Sequence, residues 1–247
     1  MITNNVPKKW TKEEINLCLQ MKEKGISGKE IAIALGRDFL QVSIKLKRLS
    51  KMQMVYNTAH LDEKESSNKR FCELINPNSV LDVYAGIDSW YKKNSYPVVS
   101  NDKNILSNSD FKMDSLDFVY TMYLQNRRFD IVDLDPFGSA YDCFDTAIKL
   151  AKKGLIITFG EMGHIRFKRL DFVRRYYQIK KLEDFKIENM INHVIMIGER
   201  NKKKLTPVIV KNWNNISRVY FAIGGIKITE QWENKKVIPT NEMSLFE

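Results

Sequence analysis

The run Phe129-Asp130-Ile131-Val132-Asp133-Leu134 breaks off at Asp135-Pro136-Phe137-Gly138-Ser139, and no other feature constrains this 247-residue chain as tightly. It reads as a buried strand that runs straight into an acid, a proline and an aromatic. Similar short apolar runs flank it. Val80-Leu81-Asp82-Val83-Tyr84 and Tyr96-Pro97-Val98-Val99-Ser100 come before, and Gly154-Leu155-Ile156-Ile157-Thr158-Phe159 comes after. Helical patterns separate them. One passes through Ser89-Trp90-Tyr91; another, Tyr141 to Lys152, puts Phe144, Ala147, Ile148 and Ala151 on one face. Apolar strands alternating with helices predict an α/β domain with a mostly parallel sheet covered on both faces. Ligands of such sheets bind at the carboxyl ends of the strands.

The chemistry expected at those ends is specific. Asp135 can accept a hydrogen bond from an amine. Pro136 has no N–H, so its carbonyl can face a ligand without a competing donor. Phe137 offers a flat apolar face to a base drawn from its stack, and Gly138 completes the turn. Together they suit methyl transfer to an exocyclic nucleobase amine, whose lone pair is delocalised into the ring. Two acceptors on the amine hydrogens favour the geometry that aims that lone pair at a methyl donor. The plainer alternative is a tight exit from the sheet, because Asp-Pro opens turns. The first strand ends in Asp82-Val83-Tyr84-Ala85-Gly86, where small residues allow close approach of a ligand to the backbone. Asp102 ends the second, placed for both ribose hydroxyls of an adenosine. Asp114-Ser115 is a candidate for the adenine edge. Neither a GxGxxG fingerprint nor a P-loop is present.

A different pattern fills the first fifty residues. Thr11-Lys12-Glu13-Glu14 and Ser27-Gly28-Lys29-Glu30 are capping boxes, and Asp38-Phe39-Leu40-Gln41 is a close third. Gly25 and Gly36 stand where two helices should stop. Three helices are expected, at about 11–24, 28–35 and 39–51. Ile15, Leu19, Ile31, Leu35, Phe39, Val42, Leu46 and Leu49 supply a small core with Trp10 as a plug. The third helix carries Gln41, Lys45 and Arg48 on one side and Ser43, Lys47 and Lys51 on another, the makeup of a helix that enters a major groove. Residues 52–70 are polar and read as a linker that closes with a helix running into Phe71–Ile75. Residues 71–247 form the α/β domain. Late strands are expected around His193–Gly198 and Leu205–Lys211, joined by a hairpin tip at Arg200–Lys204. After the Gly154–Phe159 strand, Arg166, Lys168, Arg169, Arg174 and Arg175 interleave with Phe167, Phe172, Tyr176 and Tyr177. This composition suits a nucleic-acid backbone track with stacking platforms, or an amphipathic helix with solvated arginines.

Two resemblances follow from these motifs. Trp10-Thr11-Lys12-Glu13-Glu14 and Ile31-Ala32-Ile33-Ala34-Leu35-Gly36-Arg37 resemble Myb-like and homeodomain-like helix-turn-helix modules. Leu81-Asp82-Val83-Tyr84-Ala85-Gly86 resembles the donor-binding first motif of Rossmann-like S-adenosylmethionine-dependent methyltransferases. That likeness covers about residues 70–225. It implies a ribose-binding role for Asp102, an adenine-side role for Asp114 and an amino-methyltransferase motif at Asp135–Gly138. Ser100–Asn104 and Asp130–Ser139 are particularly similar to the tRNA guanine-N2 dimethyltransferases. The first motif, Tyr84-Ala85-Gly86-Ile87-Asp88, is closer to DNA methyltransferases, and Asp88 adds charge where relatives have a glycine-rich turn. No counterpart is seen for the large C-terminal RNA-binding domain of the tRNA family. DNA methyltransferases usually have a second proline where this chain has Phe137, so the stacking aromatic is Phe137 or Tyr141.

Composition narrows the partners. The net charge of +10 is concentrated in the first quarter and favours polyanions. Cys18, Cys72 and Cys143 form no CxxC pair, and His60, His164 and His193 lack metal-ligand spacing, so no metal is expected. No apolar run is long enough for a membrane span and no signal peptide is visible, which predicts a cytoplasmic protein. Lys-, Asn- and Ile-rich usage points to an AT-rich genome of a phage or mobile element. The expected reaction is methylation of an exocyclic nucleobase amine by S-adenosylmethionine. The N-terminal module makes DNA the first choice of substrate. The alternatives are a tRNA or rRNA guanine-N2 methyltransferase, and a DNA-binding regulator with a non-catalytic donor-binding domain.

Overall fold

A computed structural model describes residues 9–53, 60–163, 168–213 and 216–225. The chain divides between Lys64 and Glu65 into two compact units.

The first unit holds α1 (Lys12–Glu23), α2 (Gly28–Leu35) and α3 (Phe39–Gln53). Both capping boxes form. Thr11 Oγ1 accepts the Glu14 N–H at 3.2 Å, and Glu14 Oε2 accepts the Thr11 N–H at 3.0 Å. Ser27 and Glu30 repeat the arrangement. Gly36 ends α2 with φ at 58°, a left-handed value that glycine adopts without a Cβ clash. The next residue, Arg37, grips both Glu14 oxygens at 3.2 and 2.7 Å and lies over the Trp10 ring. Ile15, Cys18, Ile31, Ala32, Val42 and Leu49 are buried. Phe39, expected in this core, is 47% exposed. It opens α3 and lies against Gly28 at the rim, and Cys18 fills the centre.

α4 (Leu61–Ile75), whose residues from Glu65 onward belong to the second unit, leads into a six-stranded sheet. The strands are β1 (Val80–Asp82), β2 (Val98–Ser100), β3 (Phe129–Leu134), β4 (Ala151–Phe159), β5 (Leu205–Trp213) and β6 (Ile216–Ile223), in the order β2-β1-β3-β4-β6-β5. The first four are parallel, and β6 runs antiparallel to both β4 and β5. This is the mostly parallel, Rossmann-like methyltransferase architecture expected. The unit's further α-helices among the described residues include α5 (Trp90–Lys93), α6 (Ser115–Leu124), α7 (Phe144–Leu150), α8 (Leu170–Tyr177) and α9 (Ile187–Arg200). Side chains alternate between the sheet faces. Val132, Leu134, Leu155 and Ile157 join the α6, α7 and α9 core. Ile131, Ile156 and Tyr220 pack with Phe71, Cys72 and Ile75 of α4.

Four expectations need correction. Residues 61–70, assigned to a linker, are the first turns of α4, and Ser67 and Asn68 are buried. Asn68 belongs to a buried hydrogen-bond network with Arg218 and Tyr220. His193–Gly198 is not a strand: it lies in α9, whose Ile187, Met190, Ile191, Val194 and Ile197 recur at helical spacing and are buried. The partner of β5 is β6, so Arg200–Lys204 joins α9 to β5 and is not a hairpin tip. The helix expected through Lys152 stops at Leu150, because Lys152 and Lys153 already belong to β4 and pair with Asp130 at 2.8 and 3.0 Å. No described helix is long and apolar enough to cross a membrane.

Candidate active site

The carboxyl ends of β1, β2, β3 and β4 lie side by side, and the loops that leave them are tied to one another. Asn101, just after β2, accepts at its carbonyl from the Ala85 N–H at 2.9 Å and donates from its N–H to the Asp82 carbonyl at 2.8 Å. Its side chain donates to the Val83 and Met113 carbonyls. Asp102 Oδ2 accepts the Gly86 N–H at 2.9 Å, and Oδ1 accepts the Asn104 N–H at 2.7 Å. Gly86 has φ at 65°, where a side chain would be strained. A carboxylate has about four acceptor directions, so Asp102, half-buried, retains acceptor capacity beyond these two bonds. Asp88 beside the turn is bound by Asn108 at 2.6 Å and lies 3.9 Å from Lys93, which offsets its charge.

Tyr84 and Asp114 differ in their surroundings. The Tyr84 hydroxyl lies 3.6 Å from Cys143 Sγ, and burial raises the pKa of both groups. Asp114 is exposed and caps α6 by accepting the Leu116 N–H at 3.0 Å, with Ser115 as the first helical residue. Asp82 is buried. Ser89 donates to it at 2.6 Å, and burial followed by the neighbouring Asp133 carboxylate pushes its carboxyl up to about 8.

The end of β3 rests on a buried arginine. Arg218 of β6 donates to Asp133 Oδ2 at 2.6 Å, to Thr158 Oγ1 at 2.7 Å and to Asn68 Oδ1 at 3.1 Å. Its Nη1 also lies 3.6 Å from Asp135 Oδ1. Tyr91 donates to Asp133 at 2.7 Å. Pro136 is buried, yet Phe137 is 89% exposed. The Gly138 carbonyl accepts the Gly160 N–H at 3.1 Å, and a Cβ on Gly160 would come within 2.5 Å of that oxygen. Ser139 donates to Glu161 at 2.7 Å. The second aromatic candidate, Tyr141, is engaged elsewhere. Its hydroxyl pairs with His193 Nε2 at 2.8 Å and its ring packs on Tyr176 and Tyr177.

The sequence-derived residues are therefore distributed unevenly. Tyr84, Ala85, Gly86, Asp102, Asp135, Pro136, Phe137 and Gly138 share the carboxyl edge of the sheet. Asp82 supports that edge from beneath. Lys168 and Arg169 are exposed just before α8, and Arg166 lies outside the described residues. In the N-terminal unit Gln41, Lys47 and Arg48 are exposed, whereas Lys45 is half-buried with its ammonium 5.5 Å from the Trp10 ring centre. Arg218 and Glu161 escaped the sequence argument. A lone arginine immediately before the apolar run Val219–Ile223 was the available signal for the first.

Comparison with known proteins adds to the geometry. Residues 87–236 match the family model described as N2,N2-dimethylguanosine tRNA methyltransferase. No curated protein matches the chain in sequence. Among solved structures, Trm1 from Pyrococcus horikoshii, determined with S-adenosyl-L-methionine, superposes with a TM-score of 0.54 at 16% identity. The match covers 68% of this chain and 56% of that one, so this chain spans little more than half of that relative's length. A putative S-adenosylmethionine-dependent methyltransferase from Streptococcus mutans matches over 62% of this chain and 48% of its own, at 10% identity and a TM-score of 0.43.

Proposed function

We propose, for a chain that belongs to the N2,N2-dimethylguanosine tRNA methyltransferase family, that it methylates the exocyclic N2 amine of guanine in tRNA with S-adenosylmethionine as donor. The observation that carries this reading is the exposed Phe137 next to Asp135, an acid held by a buried arginine at the carboxyl end of β3. The family favours tRNA over the DNA substrate expected first from the N-terminal module.

The residues at β1 and β2 fit the donor. The Gly86 turn leaves room at the backbone, and Asp102 keeps acceptor capacity suited to ribose hydroxyls. Tyr84, Ala85, Asp114 and Ser115 would line the remainder, with Asp82 holding the turn through Ser89. S-adenosylmethionine supplies an electrophilic methyl group on a sulfonium. The chain's own part is orientation. Asp135 and the Pro136 carbonyl accept the two amine hydrogens, and both bonds strengthen as the nitrogen gains positive charge. Phe137 stacks the extruded base. The surplus proton of the methylated amine has Asp135 as its first acceptor. A role for the N-terminal unit in holding nucleic acid rests on Gln41, Lys47 and Arg48. Lys45 is withdrawn from that set because it packs on Trp10.

The test is incubation with labelled donor and separate tRNA and duplex DNA pools, followed by nucleoside analysis. Label in N2-methylguanosine or its dimethyl form is expected. Label in DNA alone would overturn the substrate assignment. No label in either pool, with nucleic-acid affinity that changes on adding donor, would favour a non-catalytic sensor.

A further inference from the structure

Phe137 is almost wholly exposed, so no packing holds its ring in place. Its position depends on the backbone of residues 136–139. Two contacts anchor that backbone to the end of β4: the Gly160 N–H on the Gly138 carbonyl at 3.1 Å, and the Ser139 hydroxyl on Glu161 Oε1 at 2.7 Å. Ser139 also accepts the Tyr141 N–H at 3.1 Å. The same Oε1 accepts the Tyr177 hydroxyl of α8 at 3.0 Å. Glu161 thus joins three segments: the loop after β3, the end of β4 and the helix whose outer surface carries Arg174 and Arg175. It is 1% exposed, and its Oε2 has no hydrogen-bond partner among the described residues. An orphaned buried oxygen is a standing cost that an apolar residue would avoid. What Glu161 supplies in return is the double acceptor at Oε1.

We propose that Glu161 is a positioning residue, which fixes the Asp135–Ser139 loop against α8 so that Phe137 and the Pro136 carbonyl are in place before a base arrives. This deepens the proposed reaction and rests on that reading of the loop. Burial pushes the carboxyl up to about 7, against the Ser139 hydroxyl, the residue's own backbone N–H and the Tyr177 hydroxyl, which pull it down. Tyr177 faces it from α8 and Ser139 from the loop, and the rings of Tyr141 and His193 of α9 pack behind Tyr177. Oε1 accepts in the neutral form as well as in the charged one, so an amide can stand in for it.

Three variants of the full chain, Glu161→Ala, Glu161→Gln and Ser139→Ala, test the assignment through hydrogen exchange and steady-state kinetics on tRNA. In Glu161→Ala the Tyr141 and Gly160 amides should exchange about tenfold faster, the effect of losing one hydrogen bond. Its kcat should fall about tenfold or more through a misplaced loop. Donor affinity should stay within about twofold, because the donor edge is not touched. Glu161→Gln should keep the protection, and a kcat within about threefold of wild type between about pH 6 and 8.5. Unchanged exchange in Glu161→Ala would overturn the proposal. So would a Glu161→Gln variant with protected amides and lost kcat, which would make the carboxyl a proton-transfer group. If Glu161→Ala does not fold, Ser139→Ala breaks the same bond from the loop side; because this change also removes the acceptor of the Tyr141 N–H, the Gly160 amide is the diagnostic one, expected to exchange about tenfold faster, and unchanged Gly160 exchange would overturn the proposal. A wild type without turnover on any nucleic acid would defeat the proposed reaction, while the exchange measurement would still decide the role of Glu161 in the loop.

Discussion

Arg218 lies 3.6 Å from Asp135, guanidinium nitrogen to carboxylate oxygen, although β4 stands between their two strands. It pairs in register with Thr158 of β4 and reaches past it toward the end of β3. One buried cation therefore serves both Asp133 and Asp135. Arg218→Met should destabilise the fold by about 3–5 kcal/mol, because Asp133 is left buried without its partner. Adding Asp133→Asn should recover much of that loss, since both members of the pair are then gone. The double variant should fold yet remain slow in methyl transfer, with Asp135 unanchored. Urea titrations of the two proteins, with rates on the same samples, check both statements. A double variant with wild-type turnover would show that Arg218 serves stability alone.

Asp135→Ala should reduce methyl transfer by about a hundred- to a thousandfold, the usual effect of removing one preorganised polar group. Donor binding should persist, because Asp102 and the Gly86 turn lie at different strand ends. Phe137→Ala should act chiefly on binding of the nucleic acid, by about 1–3 kcal/mol per unstacked base. The exposure of Phe137 makes it a clean probe, since its removal opens no cavity. Single-turnover rates separate the two effects. Equal loss of kcat in both variants, with unchanged nucleic-acid affinity, would count against the stacking role.

Asp102→Ala should weaken donor binding by about 1.5–3 kcal/mol, the range for hydrogen bonds to a charged group. The same change frees the Gly86 N–H, so part of the loss comes from a looser turn. Asp102→Asn keeps an acceptor for that N–H and should lose less. Calorimetry on the three proteins gives the ranking. Equal affinities throughout would place the donor elsewhere.

Much of the α/β unit was legible because Ile131–Leu134 and Leu155–Phe159 are short, mainly apolar runs, interrupted only by Asp133 and Thr158, as expected of strands covered on both faces. The caps at Thr11 and Ser27 were legible because their partners lie three residues away. What failed was long-range. Val194, Ile195 and Ile197 carry strand propensity, and only packing of α9 against the sheet selects the helix. Asn68 read as linker polarity, because its partner Arg218 lies 150 residues on. Glu161 carried no local signal, because Ser139 and Tyr177, which converge on it, lie 22 and 16 residues away. Lys45 counted as a groove residue until Trp10 took its ammonium.

That last contact separates two kinds of basic residue on α3. Lys47 and Arg48 are exposed, so changing both to Ala should weaken nucleic-acid affinity and lower the salt slope by about one for each lost phosphate contact. Lys45→Ala should instead loosen the module by about 0.5–1 kcal/mol, the worth of an exposed cation–aromatic contact, with little effect on the slope. Binding isotherms across salt concentrations, set against thermal melts, distinguish these outcomes. A salt slope that ignores Lys47 and Arg48 would assign the first unit to another task.

Glu161 also makes stability depend on pH. Its carboxyl is raised from an ordinary 4.5 to about 7 by burial. Between those values the folded chain holds a proton that the unfolded chain has released, so stability falls as pH rises through that window. Above the folded value the loss is complete, about 3 kcal/mol at most. Glu161→Gln cannot ionise and escapes this loss. The amide does set an N–H2 where Oε2 lacked a partner, but that cost is the same at every pH. Asp82 and Asp133, both raised by burial, push stability in the same direction in both proteins and cancel in the comparison. The melting temperature of the variant relative to wild type should therefore climb by several degrees between about pH 5 and 8.5, at about 2–4 °C per kcal/mol for a domain of this size. Parallel thermal melts at the two pH values measure it. A constant difference would mean that Glu161 titrates alike in the folded and unfolded chains.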